Sequence, residues 1–372
     1  MSSCFELEEV PCSSLWQVDL SQSAKPEPRP RRRPLWVATP TSSKQLEEHK
    51  RKGNAERLLQ TLRASVASRL PKVSCPSVQA NRTSQQAPAI LFSGGLDCTV
   101  LAMLVNELVP PEESIDLLNV AFENPRALAA KKAQDKDSAA ALDPYLTPDR
   151  ASGVLAYEEL KKLAPQRLWR FVKVDVPAQE YELNKQRIMD LMCPLGTVMD
   201  LSSAAALWFA ARGKGVAVHS VKYYETPVKV LISGLGADEL FGGYARHRGA
   251  FERGGWDALT KELQLDLDRL PERNLGRDDR IIASSGRECR FPFLSQMVID
   301  FACGLETSEK AQLALGEGIG DKIILRDVAV MLGLQETATR RKRAIQFGAR
   351  SAKMNQGEGK VKGQVNILAK SA

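Results

Sequence analysis

The chain has 372 residues, of which 43% are hydrophobic and 26% are charged, as in an ordinary soluble globular protein. No apolar run approaches the ~20 residues that a membrane helix needs, and the N-terminus lacks the basic start and apolar core of a secretory signal. The composition therefore excludes a membrane protein and predicts a cytoplasmic one. The seven cysteines form no CxxC pair, which argues against a zinc site and against a disulfide framework.

The formal net charge of +7 is carried by the two ends of the chain. Residues 25–52 hold nine Lys/Arg and three Glu, and residues 338–372 hold nine Lys/Arg and one Glu, so that the remainder is mildly acidic. A basic stripe on a folded body would indicate nucleic-acid binding. Basic ends are weaker evidence for it and favour solvated tails.

Residues 1–87 are predicted to be a poorly ordered basic extension. KPEPRPRRRP (25–34) is rich in Pro and Arg, and residues 72–88 are polar and interrupted by Pro. Such a composition cannot bury much apolar surface. Only residues 45–70 have helical character.

From Ala89 onward, apolar runs alternate with helical segments. The pattern predicts strands at 89–92, 115–122, 168–176 and 228–234, and helices at 98–108, 178–192 and 201–212. We interpret the Ala/Lys/Asp/Pro-rich residues 123–152 as a surface insertion. Residues 235–354 are predicted to be mainly helical. The alternation predicts an α/β fold, a parallel sheet with helices on both faces and a mainly helical C-terminal part.

A glycine pair follows the first predicted strand, in SGGLD (93–97). Glycine lets the backbone approach a ligand closely, and amides at the start of a helix favour an anion. Asp97 has the wrong charge for a phosphate unless a cation such as Mg²⁺ lies between them. No GK[ST] follows, so the motif is not a Walker A loop. Alone, it predicts either a phosphate-binding loop or a tight turn that only joins strand to helix.

A second stretch, SGLGADELFGGYARHR (233–248), repeats this pattern at the end of the fourth predicted strand. Ser233, Gly234 and Gly236 are followed by Asp238 and Glu239. In open parallel sheets, ligands lie beyond the carboxyl ends of the strands. Two glycine turns that each precede an acid therefore predict two carboxylates near one pyrophosphate, with two solvent-facing acids as the alternative.

Together these stretches resemble the PP-loop ATP pyrophosphatases of the asparagine synthetase family, which cleave ATP between the α and β phosphates. The segments RNLGRDDRIIASSGRECRFPFLS (273–295), GIGDKIILRDVA (318–329) and RRKRAIQFGAR (340–350) resemble further motifs of that family in the same order. The resemblance implies an adenine nucleotide alpha hydrolase-like fold for a domain at residues 88–355, followed by a flexible basic tail at 356–372.

The resemblance also implies roles for individual residues. The pyrophosphate loop would consist of Phe92, Ser93, Gly94, Gly95, Leu96 and Asp97. Val120, Ser233 and Gly234 would contact the nucleotide, and Asp97 would hold Mg²⁺ together with Asp238. Lys342 or its neighbour Arg343 would neutralise charge on the reacting phosphates, unless both belong to a solvated basic run. Arg277 would face the carboxylate of the substrate or form a surface ion pair, and Glu239 keeps its family place in the substrate site.

Three departures from the family pattern bear on activity. Leu235 stands where working synthetases carry Glu, and a leucine neither accepts a proton nor binds an ammonium group. Ser295 stands where the family run ends in Asp. The family's glutamine-hydrolysing domain begins with a cysteine directly after the initiator Met and uses its free amine as a base, whereas Cys4 here follows two serines. We therefore expect no glutaminase in this chain.

The first hypothesis is an ATP- and Mg²⁺-dependent ligase of asparagine biosynthesis, which adenylates an aspartate-like carboxylate and amidates it with ammonia. The second is a nucleotide-binding scaffold of the same fold, which Leu235 favours. An RNA-modifying PP-loop enzyme would suit the basic ends, but the missing CxxC pair argues against it. The predicted partners are thus small molecules, without a membrane or nucleic acid, and the basic ends are left as contacts for protein partners.

Overall fold

The computed structural model describes residues 44–71, 87–123, 143–218, 220 and 222–354, with side chains from residue 49 onward. The strands in these ranges are β1 (Ala89–Leu91), β2 (Ile115–Phe122), β3 (Trp169–Val176), β4 (Lys214–Ala217), β5 (Tyr223–Glu225), β6 (Val230–Ile232) and β7 (Glu288–Arg290). They form one sheet in the order β5-β4-β3-β2-β1-β6-β7. Five neighbouring strands of this sheet are parallel, namely β3, β2, β1, β6 and β7. The other two, β4 and β5, form an edge whose pairings are antiparallel.

Helices connect the strands and make up most of the C-terminal half. They are α1 (Lys44–Arg69), α2 (Leu96–Leu108), α3 (Pro148–Leu163), α4 (Ala178–Met192), α5 (Val198–Ala211), α6 (Ala237–Phe241), α7 (Ala245–Leu270), α8 (Gly276–Ala283), α9 (Gln296–Cys303), α10 (Thr307–Lys310), α11 (Ile323–Met331), α12 (Gln335–Ala338), α13 (Ile345–Gly348) and α14 (Ser351–Met354). A π-helical turn, Pro271–Leu275, joins α7 to α8, and 3₁₀ turns occupy Pro292–Leu294 and Leu313–Leu315.

The sheet separates two apolar clusters, because successive side chains of a strand point to opposite faces. Ile90 and Leu117 belong to the cluster that includes α1, α2 and α11. Their neighbours Ala89 and Leu118 belong to the other cluster, with α4 and α5. The predicted α/β fold, a parallel sheet with helices on both faces, is confirmed. Within the described ranges, no helix combines the length and apolar character needed to cross a membrane.

Helix α1 packs against the body of the protein, although the sequence analysis assigned residues 45–70 to the basic extension. Leu58, Leu62 and Val66 are fully buried in the first cluster. Ser65 Oγ donates to the carbonyl oxygen of Pro292 at 2.7 Å. The core therefore includes residues before position 88, and the division into extension, domain and tail stays a prediction.

Helix α3 was not predicted, and it begins inside the segment 123–152 that we interpreted as a surface insertion. Thr147 caps it by accepting a hydrogen bond from the amide of Arg150 at 3.1 Å, and Pro148 occupies its first turn. Asp149 and Arg150 are buried. Only residues 143–152 of that segment can be compared, because 124–142 lie outside the described residues.

Candidate active site

The two glycine turns lie side by side at the carboxyl ends of neighbouring strands. Residues 93–95 follow β1 and residues 233–236 follow β6, and these two strands pair in parallel. A Cβ added at Gly234 would lie 3.0 Å from Cβ of Asp97, so the second turn contacts the start of α2. The structure thus brings together the two loops that the sequence pattern singled out.

Gly94 is required in the first loop by both its conformation and its neighbours. Its φ of +74° lies in the left-handed region. A Cβ at this position would come within 2.4 Å of the backbone of Ser152 and Gly153 in α3. Gly95 precedes α2 and no side chain caps that helix, so the first amides of α2 have no partner within the helix. These amides are suited to an anion.

Asp97 and Asp238 converge on one cation. Asp97 lies in the first turn of α2 and Asp238 in the first turn of α6. Lys322 Nζ donates to Asp97 Oδ1 at 2.6 Å and to Asp238 Oδ1 at 2.8 Å. The ammonium group of Lys342 contacts the other oxygen of Asp238. The predicted pair of carboxylates is therefore brought together, with two lysines around it.

The charges of this cluster depend on one another. Burial by itself would raise the pKa of Asp238, but the ammonium groups of Lys322 and Lys342 hold it well below its usual range. Burial would likewise lower the pKa of Lys342, and the charges of Asp238 and Asp97 raise it above its usual value instead. Asp238 and Lys342 therefore each favour the charged form of the other.

The donor set of this cluster fits a magnesium ion bound together with a nucleotide. Mg²⁺ is usually held by one or two carboxylates plus substrate phosphates and water rather than by an all-protein cage. Lys322 Nζ occupies the point between Oδ1 of Asp97 and Oδ1 of Asp238, so Mg²⁺ would bind these carboxylates beside the ammonium group or in its place. In the part of the chain described, no three His, Cys, Asp or Glu side chains gather around a metal position. The carboxylates therefore suit an ion that takes its remaining ligands from phosphate.

Lys322 is the residue of this cluster that the sequence analysis missed. It precedes α11 with a φ of +53°, in the GIGDKIILR segment that was matched to a family motif but given no role. Its side chain is 2% exposed, so it is committed to the two carboxylates. The signal available from the sequence was a lysine directly before a largely apolar helix, IILRDVAVM.

A cavity of ≈ 460 Å³ opens in front of both loops. This volume lies within the range of small-molecule sites. Its walls include Phe92, Ser93, Gly95, Asp97, Val120, Ser233, Gly234, Leu235, Asp238, Glu239, Arg277, Lys342 and Arg343. A smaller cavity of ≈ 50 Å³, lined by Leu96, Lys322, Arg326 and Arg340 among others, shares the first loop with it. Most of the predicted site residues therefore face one space.

Glu239 stabilises the second loop from inside. Its Oε2 accepts a hydrogen bond from the amide of Gly236 at 3.1 Å, and its Oε1 accepts one from the hydroxyl of Tyr244 at 2.6 Å. Burial and the nearby charge of Asp238 raise its pKa. The role in substrate binding stays a prediction, since both carboxylate oxygens already hold groups of the protein.

Arg277 lines the cavity, but its guanidinium is held by two carboxylates. It contacts Asp278 at 2.8 Å and Asp200 at 3.1 Å, and its side chain is 7% exposed. Arg277 thus forms a buried ion pair rather than the surface pair considered from the sequence. Its contact with a substrate carboxylate stays a prediction.

Asp149 is a buried carboxylate of the site that the sequence analysis did not find. It lines both cavities. Burial raises its pKa to about 7, although Lys342 and Arg343 lower it in part. Gly348 lies against it, since a Cβ there would fall 1.9 Å from its Oδ1. Asp149 was missed because it lies at the start of α3, within the presumed insertion.

Comparisons with known proteins agree with this geometry. The Asparagine synthase family model matches residues 76–254 and 250–361. Asparagine synthetase domain-containing protein 1 of Homo sapiens is 43% identical over 291 residues, 72% of this chain and 45% of that protein. An asparagine synthetase domain-containing protein of Saccharomyces cerevisiae is 38% identical over 311 residues, 81% of this chain and 53% of that protein. The resemblance inferred from the motifs is confirmed.

A putative glutamine-hydrolysing asparagine synthetase of Methanocaldococcus jannaschii is 36% identical over 157 residues, 35% of this chain and 29% of that protein. The chain spans about half the length of the eukaryotic relatives that it matches. The similarity therefore concerns one part of those longer proteins.

Proposed function

The chain belongs to the asparagine synthase family, and we propose that it binds Mg²⁺–ATP between its two glycine loops and transfers the adenylyl group to an aspartate-like carboxylate, which ammonia then converts into an amide. The observation that carries this proposal is the convergence of Asp97 and Asp238 on one cation position. Two carboxylates at that point, beside loop amides and two lysines, match the charges of a metal-bound pyrophosphate.

Each group of residues in the site has a role in this proposal that follows from its charge. The amides at the start of α2 hold phosphate oxygens, and Lys342, which lines both cavities, offsets the negative charge that develops as pyrophosphate leaves. Lys322 holds the two carboxylates in place. Asp97 and Asp238 would hold Mg²⁺, which when bound neutralises phosphate oxygens and polarises the reacting phosphorus. Val120, which lines the main cavity, would contact the adenosine.

The proposed chemistry has two steps. An oxygen of the acceptor carboxylate attacks the α-phosphorus of ATP, and the bond from that phosphorus to the oxygen of the β-phosphate breaks, so that pyrophosphate leaves with the electron pair. Ammonia then attacks the acyl carbon, loses a proton to solvent, and AMP leaves. The nitrogen donor in this proposal is free ammonia.

Leu235 favours the second candidate function, a nucleotide-binding scaffold without amidation. It lines the main cavity at the position where the family motif has Glu. An apolar side chain there neither accepts a proton from the incoming ammonia nor binds it. The nucleotide site would then stay intact, and the second step would be lost.

Pyrophosphate release in the presence of ATP, Mg²⁺, ammonia and L-aspartate tests the proposal. We expect release that requires aspartate and that is absent in Asp97→Ala. If the wild type releases no pyrophosphate and Leu235→Glu does, the chain is a nucleotide binder that has lost its amidation chemistry. If none of the three proteins releases pyrophosphate and ATP still binds, the result supports the scaffold function and refutes the ligase function.

A further inference from the structure

We propose that Asn119, Ser152 and Arg340 form a carbonyl lock, which fixes the first glycine loop with its amides facing the pyrophosphate of the ligand. The three side chains come from β2, α3 and the segment after α12. Each binds the carbonyl oxygen of one of three consecutive loop residues, 92, 93 and 94. This inference rests on the proposed function, because it assigns positioning residues to the same nucleotide site.

Asn119 holds the first of these carbonyls. It is fully buried in β2, and its Nδ2 donates to the carbonyl oxygen of Phe92 at 2.8 Å and to that of Asp149 at 3.0 Å. Its Oδ1 accepts from Arg150 Nε at 2.7 Å, so every polar atom of the amide has a partner. Arg150 is fixed in turn, because its Nη2 donates to Asp175 Oδ1 at 2.6 Å. The amide therefore cannot turn away without breaking three hydrogen bonds.

Ser152 holds the second carbonyl from the first turns of α3. Its hydroxyl oxygen lies 2.9 Å from the carbonyl oxygen of Ser93. The carbonyl oxygen of Pro148 lies at 3.0 Å, so that the single hydroxyl proton has an alternative acceptor within its own helix. The close packing of Gly94 on the backbone of Ser152 keeps the loop and α3 in contact.

Arg340 holds the third carbonyl from the segment that follows α12. Its Nη1 donates to the carbonyl oxygen of Gly94 at 2.6 Å and to Thr337 Oγ1 at 3.1 Å. The backbone at this point is itself fixed, because Arg326 Nη1 donates to the carbonyl oxygen of Arg340 at 3.0 Å. A charged donor on a backbone carbonyl makes a stronger hydrogen bond than a neutral one.

The geometry of the peptide bond turns these contacts into a constraint on the amides. A trans peptide is planar, so its C=O and the following N–H point in opposite directions. Each fixed carbonyl therefore turns the amide that follows it, that of residue 93, 94 or 95, away from the donor that holds that carbonyl, and the amide of Gly95 donates to Ser93 Oγ at 3.3 Å. Backbone amides that need no reorientation stabilise an anion more than mobile ones do. The lock should thus affect affinity for pyrophosphate more than affinity for the rest of the nucleotide.

Binding of magnesium pyrophosphate and of AMP by the full chain, measured by calorimetry, tests this inference. Ser152→Ala removes one donor without a change of charge, and Asn119→Ala removes another. Because one hydrogen bond contributes about 1 kcal/mol, we expect Ser152→Ala to weaken pyrophosphate binding about fivefold, and the double variant to weaken it further. AMP affinity should stay unchanged. Ser68→Ala, which also removes a hydroxyl that donates to a helix carbonyl, is the matched control and should leave both affinities unchanged.

Equal losses of pyrophosphate and AMP affinity in Ser152→Ala would indicate general damage and refute the lock. Unchanged pyrophosphate affinity in that variant, with normal binding by the wild type, would refute the lock but not the proposed function. A wild-type chain that binds neither pyrophosphate nor ATP would refute the proposed function and the lock together.

Discussion

The two glycine loops share a sequence pattern but are held in place by different means. The second loop is stabilised by its own residues. Glu239 accepts a hydrogen bond from the amide of Gly236, and Ser233 Oγ accepts one from the amide of Leu235 at 3.3 Å. The first loop is held by Asn119, Ser152 and Arg340 on three other elements. Two features are common to both loops: an acid in the helical turn that follows, Asp97 or Asp238, and a serine that accepts a hydrogen bond from the amide two residues on, since Ser93 Oγ accepts from Gly95 at 3.3 Å.

This difference indicates where each loop is sensitive to change. In the second loop the hydrogen bonds of the Ser233, Glu239 and Tyr244 side chains close within one short segment, and the distant contacts are those of the Ser233 amide with the carbonyl oxygen of Arg290 and of Asp238 with two lysines. The first loop depends on α3 and on the chain after α12. Three sets of substitutions sharpen this comparison, and they are given in order of decreasing expected effect.

Removal of the second-loop acid should destabilise the protein more than removal of the first-loop acid. In Asp238→Ala, Lys342 loses its carboxylate and Lys322 loses one of two, and a buried charge left without its partner costs about 3–5 kcal/mol. In Asp97→Ala, Lys322 and Lys342 both keep their contacts with Asp238, so the loss of stability should be smaller. Urea denaturation of both variants at pH 7 measures the difference. A larger loss in Asp97→Ala would contradict the assigned ion pairs.

Asp149, beside the first loop, should make stability fall as the pH rises. Its pKa is raised to about 7 by burial, so between about pH 4 and pH 7 the folded chain keeps a proton that the unfolded chain has lost. Raising the pH through this window therefore lowers the free energy of unfolding, by up to about 4 kcal/mol. Asp149→Asn cannot ionise and should lack this part of the fall.

Urea denaturation at pH 5 and pH 8 checks this prediction. Asp149→Asn should gain stability relative to the wild type at pH 8, and much less at pH 5. Asp257→Asn, which changes an exposed acid, serves as the control and should follow the wild type at both values. Parallel pH profiles of Asp149→Asn and the wild type would show that Asp149 ionises normally.

The contact of the first loop with α3 can be separated from the cost of its backbone conformation. Gly94 and Gly286 both have positive φ, but an added Cβ clashes with α3 only at Gly94 and meets nothing within 4 Å at Gly286. Both substitutions to Ala should cost about 1 kcal/mol for the backbone, and Gly94→Ala should cost about 1–3 kcal/mol more because of the overlap. Thermal or urea denaturation measures both. Equal losses would mean that α3 moves aside freely.

Much of the architecture could be predicted because it depends on local pattern. The strand at 115–122 and the helix at 178–192 have the bounds that the sequence pattern indicated. The short strands β4, β5 and β7 were missed, since strands of three or four residues carry little periodic signal. Helix α3 was missed because its capped start, Thr147–Pro148, stands directly after an Ala- and Asp-rich stretch.

The sequence by itself determined the two glycine turns, the acids that follow them and the sheet that aligns them, because glycine tolerance and strand periodicity act over a few residues. Only the tertiary structure decided which distant groups complete the site. Lys322 lies 225 positions from Asp97 along the chain, and Arg340 lies 246 positions from Gly94. No local pattern specifies such contacts. They arise when the packing of α11 and α12 against α2 places Lys322 beside the two carboxylates and Arg340 beside the carbonyl oxygen of Gly94.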